Sequence, residues 1–155
     1  MAFRNDLRWG SFGLNALVEW QQGSHIINLT RLLYDFGKIT PDYADPIAGS
    51  TETVGERRLA GFGVKTSNYL ESATYVKLRE VGLSYDLPRS WIAGIWGNAR
   101  SARVSLSGRN LLMNTDYTGL DPEVSNFGNQ AIARNIDVTP YQPSRTFLFS
   151  IDLGF

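Results

Sequence analysis

The residues best suited to chemistry are few and scattered. His25 is the sole histidine, and with no cysteine, second histidine or paired carboxylates beside it, it makes no metal site. Asp121 and Glu123 flank Pro122 shortly after Tyr117. Two carboxylates near a phenol could hold a cation or accept hydrogen bonds from sugar hydroxyls. The same stretch, with Gly119, is also ordinary loop chemistry, because Pro, Gly and Asp favour turns. No nucleophile stands at a spacing from a base that would point to covalent or acid–base catalysis. The glycines around Gly61 and Gly63 do not open a helix that could cradle phosphate and read as turn residues. The expectation is a protein without catalytic residues, metal or cofactor.

Composition removes further classes. In 155 residues, 15 basic side chains balance 15 acidic ones, so no charge excess points to nucleic acid or to an anionic surface. The absence of cysteine excludes disulfide frameworks and thiolate metal sites. No stretch approaches the roughly 18 consecutive apolar residues of a membrane helix, and Arg4, Asp6 and Arg8 interrupt what a signal peptide would need as an apolar run.

The dominant pattern is strict alternation, the mark of a strand with two unlike faces. Phe3, Leu7 and Trp9 share one face, and Gly10–Ser11 suits a two-residue type II′ turn. The next strand runs from about Phe12 to Gln22. That turn sets Trp9 opposite Phe12, Leu7 opposite Leu14 and Phe3 opposite Val18, so both apolar sets fall on one side and only Asn5 breaks the pattern. Three further strands are expected over 73–87, 102–112 and 147–155. The last alternates most cleanly, with Phe147, Phe149, Ile151, Leu153 and Phe155 against Leu148, Ser150, Asp152 and Gly154. At about 3.3 Å per residue it spans roughly 26 Å, close to the ~25 Å apolar band of an outer-membrane barrel.

The connections run short, long, shorter, long: residues 10–11, 23–72, 89–101 and 113–144. Membrane barrels show this asymmetry, with brief periplasmic turns and long extracellular loops. Trp9, Phe12, Tyr85, Trp91, Trp96 and Phe155 then gather near one rim and Trp20 near the other, as interfacial aromatics do. Glu19, Arg103, Arg109 and Asp152 fall on the polar face, where they would line a lumen or touch a plug, unless they form only a solvated ladder of charges. Residues 91–96 read equally as an interfacial turn or a buried loop. One short helix is expected over 28–36, capped by Asn28. Periodicity alone leaves a soluble β-sandwich open beside the barrel.

Several segments together resemble the C-terminal barrel region of the SusC/RagA family of TonB-dependent outer-membrane transporters. They are GLNALVEWQQGSHIINLT (13–30), YLESATYVKLREVGLSYDLP (69–88), SGRNLLMNTDYTGLDPEV (107–124) and PSRTFLFSIDLGF (143–155). The combination of Leu87-Pro88, Asn110-Leu111, Asp121-Pro122-Glu123 and terminal Phe155 carries the likeness, which covers nearly the whole chain.

The resemblance implies an all-β fold: about five C-terminal antiparallel strands of a transmembrane barrel of about 22, with long extracellular loops and with the plug and upstream strands outside residues 1–155. It implies import of glycans or peptides across the Gram-negative outer membrane. A SusD-like lipoprotein would act as lid, and the TonB complex would be engaged through the missing N-terminal part. It also implies that Phe147, Phe149, Ile151, Leu153 and Phe155 form the signal read by the barrel-assembly machinery, their outer side against lipid. Tyr117, Asp121 and Glu123 are the candidate ligand contacts in the loops. Five strands cannot close a pore, which takes about eight, and the isolated chain is expected to aggregate in buffer. The alternative is a soluble β-domain that binds carbohydrate or protein through its loops. A siderophore-type receptor would share the barrel but fits the Asp-Pro-Glu segment less well.

Overall fold

The computed structural model describes residues 1–95, 98–123 and 135–155. Trp96, one of the expected rim aromatics, lies outside them. The chain forms two units, one from residues 1–21, 76–114 and 143–155 and the other from 22–75 and 115–142.

The first unit is an antiparallel sheet. Its strands are β1 (Ala2–Trp9), β2 (Phe12–Gln21), β5 (Tyr75–Asp86), β6 (Ser101–Thr115) and β8 (Thr146–Gly154), in the order β1-β2-β5-β6-β8. All five expected strands are present, with ends shifted by a few residues. The hairpin register is the expected one, Phe3 opposite Val18, Leu7 opposite Leu14 and Trp9 opposite Phe12. Gly10 supplies the positive φ (58°) that a first turn residue of this kind needs and that a side chain resists.

On the last pair, Ala102, Val104 and Leu106 oppose Leu153, Ile151 and Phe149 on one face. On the other, Arg103 opposes Asp152 and Ser105 opposes Ser150. The sheet is open at β1 and β8. Its apolar face is not covered within the unit: Phe3 is 65% exposed, Leu106 52% and Phe149 61%. A soluble sandwich would bury these side chains, since each is worth roughly 1.5–3 kcal/mol on burial.

Between β5 and β6 the structure forms a helix, α3 (Arg89–Ile95), where the sequence left a turn or loop open. Pro88 ends β5 as expected and also starts this helix, its carbonyl accepting from the amides of Trp91 (3.0 Å) and Ile92 (3.3 Å). Among the described residues no helix is long and apolar enough to cross a membrane.

The second unit is more ordered than a turn-rich loop. It holds β3 (His25–Asn28), α1 (Leu29–Phe36), α2 (Val54–Ala60), a 3₁₀ turn (Thr66–Tyr69), β4 (Leu70–Ser72) and β7 (Ile136–Asp137). The strands make a small sheet, β4-β3-β7, antiparallel on one side and parallel on the other. Its apolar centre is Ile26, Ala73 and Tyr117, all buried. The expected helix is found with Asn28 as its cap.

Helix α2 lies inside the long connection 23–72, where only the helix over 28–36 was expected. Thr53 and Glu56 form a reciprocal capping box, and Gly55 sits in the first turn because Tyr43 lies on it. A Cβ there would come within 2.1 Å of the ring. Since the box satisfies two otherwise orphaned amides, Thr53→Ala should lower the opening free energy of α2 by about 1 kcal/mol in hydrogen exchange. Unchanged protection would contradict the capping role.

Candidate functional site

The second unit is organised around charge rather than a large apolar core. Asn28 ends β3 and begins α1. Its Oδ1 accepts from the Arg31 amide at 2.8 Å, and its Nδ2 donates to Glu71 (3.2 Å) and Thr118 (3.3 Å). This cap sets Arg31 in the first helical turn, where Nη2 reaches Asp42 at 2.6 Å and Nη1 reaches Glu71 at 3.1 Å. One turn on, Asp35 is fully buried.

Arg58, from α2, grips Asp35 through Nε and Nη2, both at 2.8 Å, and also grips Asp42 through Nη1 (2.8 Å) and Nη2 (2.9 Å). Thr40 and Tyr69 donate to the same Asp35 carboxylate. Paired forks of this kind suit guanidinium and carboxylate geometry and are stronger than neutral hydrogen bonds.

The electrostatics follow. Burial alone would raise the Asp35 carboxyl, but the hydrogen bond and charge of Arg58, with the hydroxyls of Thr40 and Tyr69, hold it below its ordinary value. Asp42 is likewise lowered, with Arg58 and Arg31 outweighing its burial. Burial, then the charge and hydrogen bond of Asp35, push Tyr69 up to about 12, so it remains a donor. Tyr117 is raised by burial and by its hydrogen bond to Asp137. Asp137 also accepts from Thr30, whose hydroxyl oxygen in turn accepts from the Thr139 amide at 2.6 Å.

These groups border a cavity of about 590 Å³, walled by Asn28, Thr30, Arg31, Tyr34, Thr40, Asp42, Thr118, Asp137 and Thr139 with Pro41, Leu120 and Pro140. That volume lies in the range of small-ligand sites. Among the described residues, the wall offers hydrogen-bond donors, acceptors and apolar surface.

The sequence-selected residues are placed as follows. Tyr117 is buried on Asp137, Asp121 is buried and accepts from the Glu123 amide at 2.9 Å, and Glu123 accepts from the Tyr75 hydroxyl at 2.9 Å. All three are thus engaged inside the unit, and it is Thr118, Gly119 and Leu120, between them, that reach the cavity.

In the sheet unit, Glu19 pairs with Arg79 (2.6 Å), Arg103 with Asp86 (2.6 Å) and Arg109 with Glu80 (3.3 Å). Asp152 faces Arg103 across the β6–β8 ladder. Phe147, Phe149, Ile151, Leu153 and Phe155 stand exposed on β8 and its end. Sequence reasoning missed Arg31, Asp35, Asp42, Arg58 and Asp137. The spacing of Arg31 and Asp35 on a capped helix was visible, but their partners lie up to 87 residues away.

Comparison with known proteins adds independent information. No protein-family model matches the chain. TonB-dependent receptor P3 of Formosa agariphila is 33% identical over 100% of the chain and 16% of the receptor. Receptor P26 of the same organism is 29% identical over 99% of the chain and 16% of its own length. A structure of the RagAB peptide transporter superposes with a TM-score of 0.65 at 26% identity, over 96% of this chain and 16% of that one. The RagAB peptide importer in its open-open state gives the same TM-score at 24% identity, over 99% and 17%.

Over its whole length the chain matches a section of TonB-dependent receptors of the SusC/RagA-like kind. It is therefore an outer-membrane protein, as the resemblance implied. It spans about a sixth of the receptors it matches. Its sheet corresponds in fold to a section of the RagA-type barrel, and its relatives are named receptors and transporters rather than enzymes.

For this receptor segment, Arg58 is the critical contact of the charged cluster. Arg58→Met leaves Asp35 buried without its counterion and should cost about 3–5 kcal/mol in the opening of α1 and α2, whereas Arg58→Met with Asp35→Leu recovers part of the loss. A single variant within measurement error of the parent would refute this. The pH dependence has a definite sign. A carboxyl whose folded value is lowered stabilises fully above its unfolded value, about 3.9, and loses that contribution as pH falls through the folded value. The opening free energy of α1, corrected for intrinsic exchange, should be flat over about pH 5 to 8 and fall only below about 4. A decline centred near neutrality would contradict the assignment to Asp35 and Asp42.

Proposed function

We propose that residues 1–155 form the C-terminal closing portion of a TonB-dependent outer-membrane transporter that imports glycans or peptides. In this reading the sheet is one arc of a barrel of about 22 strands. The plug and the TonB-contacting part lie in the rest of the receptor, and a SusD-like lipoprotein covers the extracellular loops. The observation that carries the proposal is the sheet itself. Five strands keep one apolar face, uncovered to the last residue, and superpose on a barrel whose solved examples import peptides.

Within it, the apolar side of β8 meets lipid, and Phe147, Phe149, Ile151, Leu153 and Phe155 are offered to the assembly machinery as an edge strand that pairs during insertion. Glu19, Arg103, Arg109 and Asp152 face the lumen, where charges are solvated or meet the plug.

Two measurements test this. In the full-length receptor, Leu106→Arg should destabilise the folded barrel by about 2–4 kcal/mol, as lipid-facing arginines near the midplane do, with Ser107→Arg on the opposite face costing much less. Equal costs would argue against a lipid boundary. Deletion of the receptor gene should abolish growth on at least one polysaccharide or protein hydrolysate supplied as sole carbon source. Growth should return with the parent gene but not with one uncoupled from TonB. Growth unaffected on every such source would overturn the transport role.

A further inference from the structure

Two arginines of the sheet unit stand outside its ladder of paired charges. Arg89 opens α3 and Arg100 immediately precedes β6, so they bracket the connection between β5 and β6. Both are exposed, and among the described residues neither side chain forms a hydrogen bond or an ion pair. The charges near them are already engaged. Arg103 holds Asp86 through Nε at 2.6 Å and Nη2 at 3.2 Å, Arg8 reaches the same carboxylate at 2.6 Å, and Asp152 faces Arg103 across the ladder.

Arg89 and Arg100 line one cavity of about 630 Å³, whose remaining wall is of two kinds. Arg103, Asp86 and Asp152 supply charge, while Ala102, Leu153 and Ile92 supply apolar surface. Ile92 is buried, and its neighbour Trp91 is 58% exposed. The Asp86 amide donates to the Ser11 carbonyl at 2.9 Å, so the Gly10–Ser11 turn lies at this same end of the sheet. That turn brings Trp9, which is exposed, and Phe12, whose ring centre lies 4.6 Å from that of Tyr85. Aromatic side chains gather where a membrane meets water, at the depth of the lipid headgroups. One end of the sheet thus joins an aromatic rim, an apolar wall and two guanidiniums without counter-charge.

We propose that this cavity seats the phosphodiester of a membrane phospholipid, with Arg89 and Arg100 as its ligands. This rests on the barrel reading above, in which the short β5–β6 connection lies at the periplasmic rim. Guanidinium forks match phosphate oxygens, and basic pockets at headgroup depth hold phospholipids in other membrane proteins. The charge also fits. Three guanidiniums stand against two carboxylates in the wall, a balance that one phosphodiester monoanion closes and a phosphate dianion overshoots. The apolar wall favours a lipid over a soluble anion. Ala102 and Leu153 face each other on the apolar side of the β6–β8 pair, so acyl chains that leave the cavity continue along a surface made for them, whereas a free phosphate buries nothing there.

The test is native mass spectrometry on the delipidated, detergent-solubilised full-length receptor, in which each bound lipid adds a discrete mass. The probes are dioleoyl phosphatidylglycerol, dioleoyl phosphatidylethanolamine, a phosphate-free digalactosyl dioleoylglycerol, and glycerol phosphate. At least one phospholipid should bind more tightly than the glycolipid, and glycerol phosphate should stay unbound at concentrations that saturate that phospholipid. Arg89→Ala combined with Arg100→Ala should weaken its binding by at least about tenfold, with glycolipid binding and the unfolding midpoint unchanged. Arg4→Ala, which removes an exposed positive charge outside the cavity, should leave phospholipid affinity as it was.

Full phospholipid affinity in the double variant, or a glycolipid bound at least as tightly as both phospholipids, would overturn the proposal. Glycerol phosphate bound as tightly as the phospholipids would do the same, by showing a site for soluble anions. The Leu106→Arg and Ser107→Arg pair separates the two possible failures. Unequal costs there, beside any of these results, would strike this site alone, whereas equal costs would strike the barrel reading on which it rests.

Discussion

An apolar face that its own unit does not cover is the constraint on which the rest of this molecule depends. In water such a face would have to be buried against a second layer. Here β1, β2, β5, β6 and β8 spend their whole length on one sheet. In the hydrocarbon of a membrane every backbone amide must find its partner within the protein, and antiparallel ladders extended into a closed barrel do this. The β6–β8 register, unbroken from Ser101 opposite Gly154 to Arg109 opposite Thr146, meets that demand. It also sorts Val104, Leu106, Ile151 and Phe149 to one side and Arg103, Ser105 and Asp152 to the other. A slip of one residue would exchange the two faces entirely, so the alternation and the register specify each other.

The loop unit solves a different problem. Its apolar centre is only Ile26, Ala73 and Tyr117, too small to order more than 80 residues by burial alone. Arg58 supplies the missing constraint by holding Asp35 from α1 and Asp42 from the segment that follows it. Arg31 extends the same network to Glu71 on β4. A buried ion pair is weak as a source of net stability but exacting in geometry. The consequence is a cavity wall whose polar atoms are held in place by ion pairs and hydrogen bonds.

The sheet was largely legible in the sequence because its determinants are local. Gly10-Ser11 sets the turn, the parity of Phe12, Leu14 and Val18 sets the faces, and Pro88 stops β5. The Asn28 cap was equally local. The Thr53–Glu56 box is local too, with Gly55 between its two members. It is Tyr43, packed on that glycine, that makes it a helical residue. The β3–β4 pairing joins Ile26 to Glu71, and Arg58 binds Asp35 from 23 residues away. Neither leaves a periodic trace, so the charged cluster and the cavity were invisible. Tyr117, Asp121 and Glu123 drew attention as carboxylates beside a phenol, yet their hydrogen bonds turn inward. The residues between them reach the cavity instead.

Spin labels placed singly along β8 of the full-length receptor in lipid vesicles would test the central claim most directly, by comparing collisional access of oxygen with that of a water-soluble nickel complex. Labels at Phe149, Ile151 and Leu153 should be open to oxygen and shielded from nickel, with Ser150 and Asp152 reversed, giving a two-residue period in phase with the apolar face. Access that does not alternate, or that alternates in the opposite phase, would contradict a lipid-facing sheet.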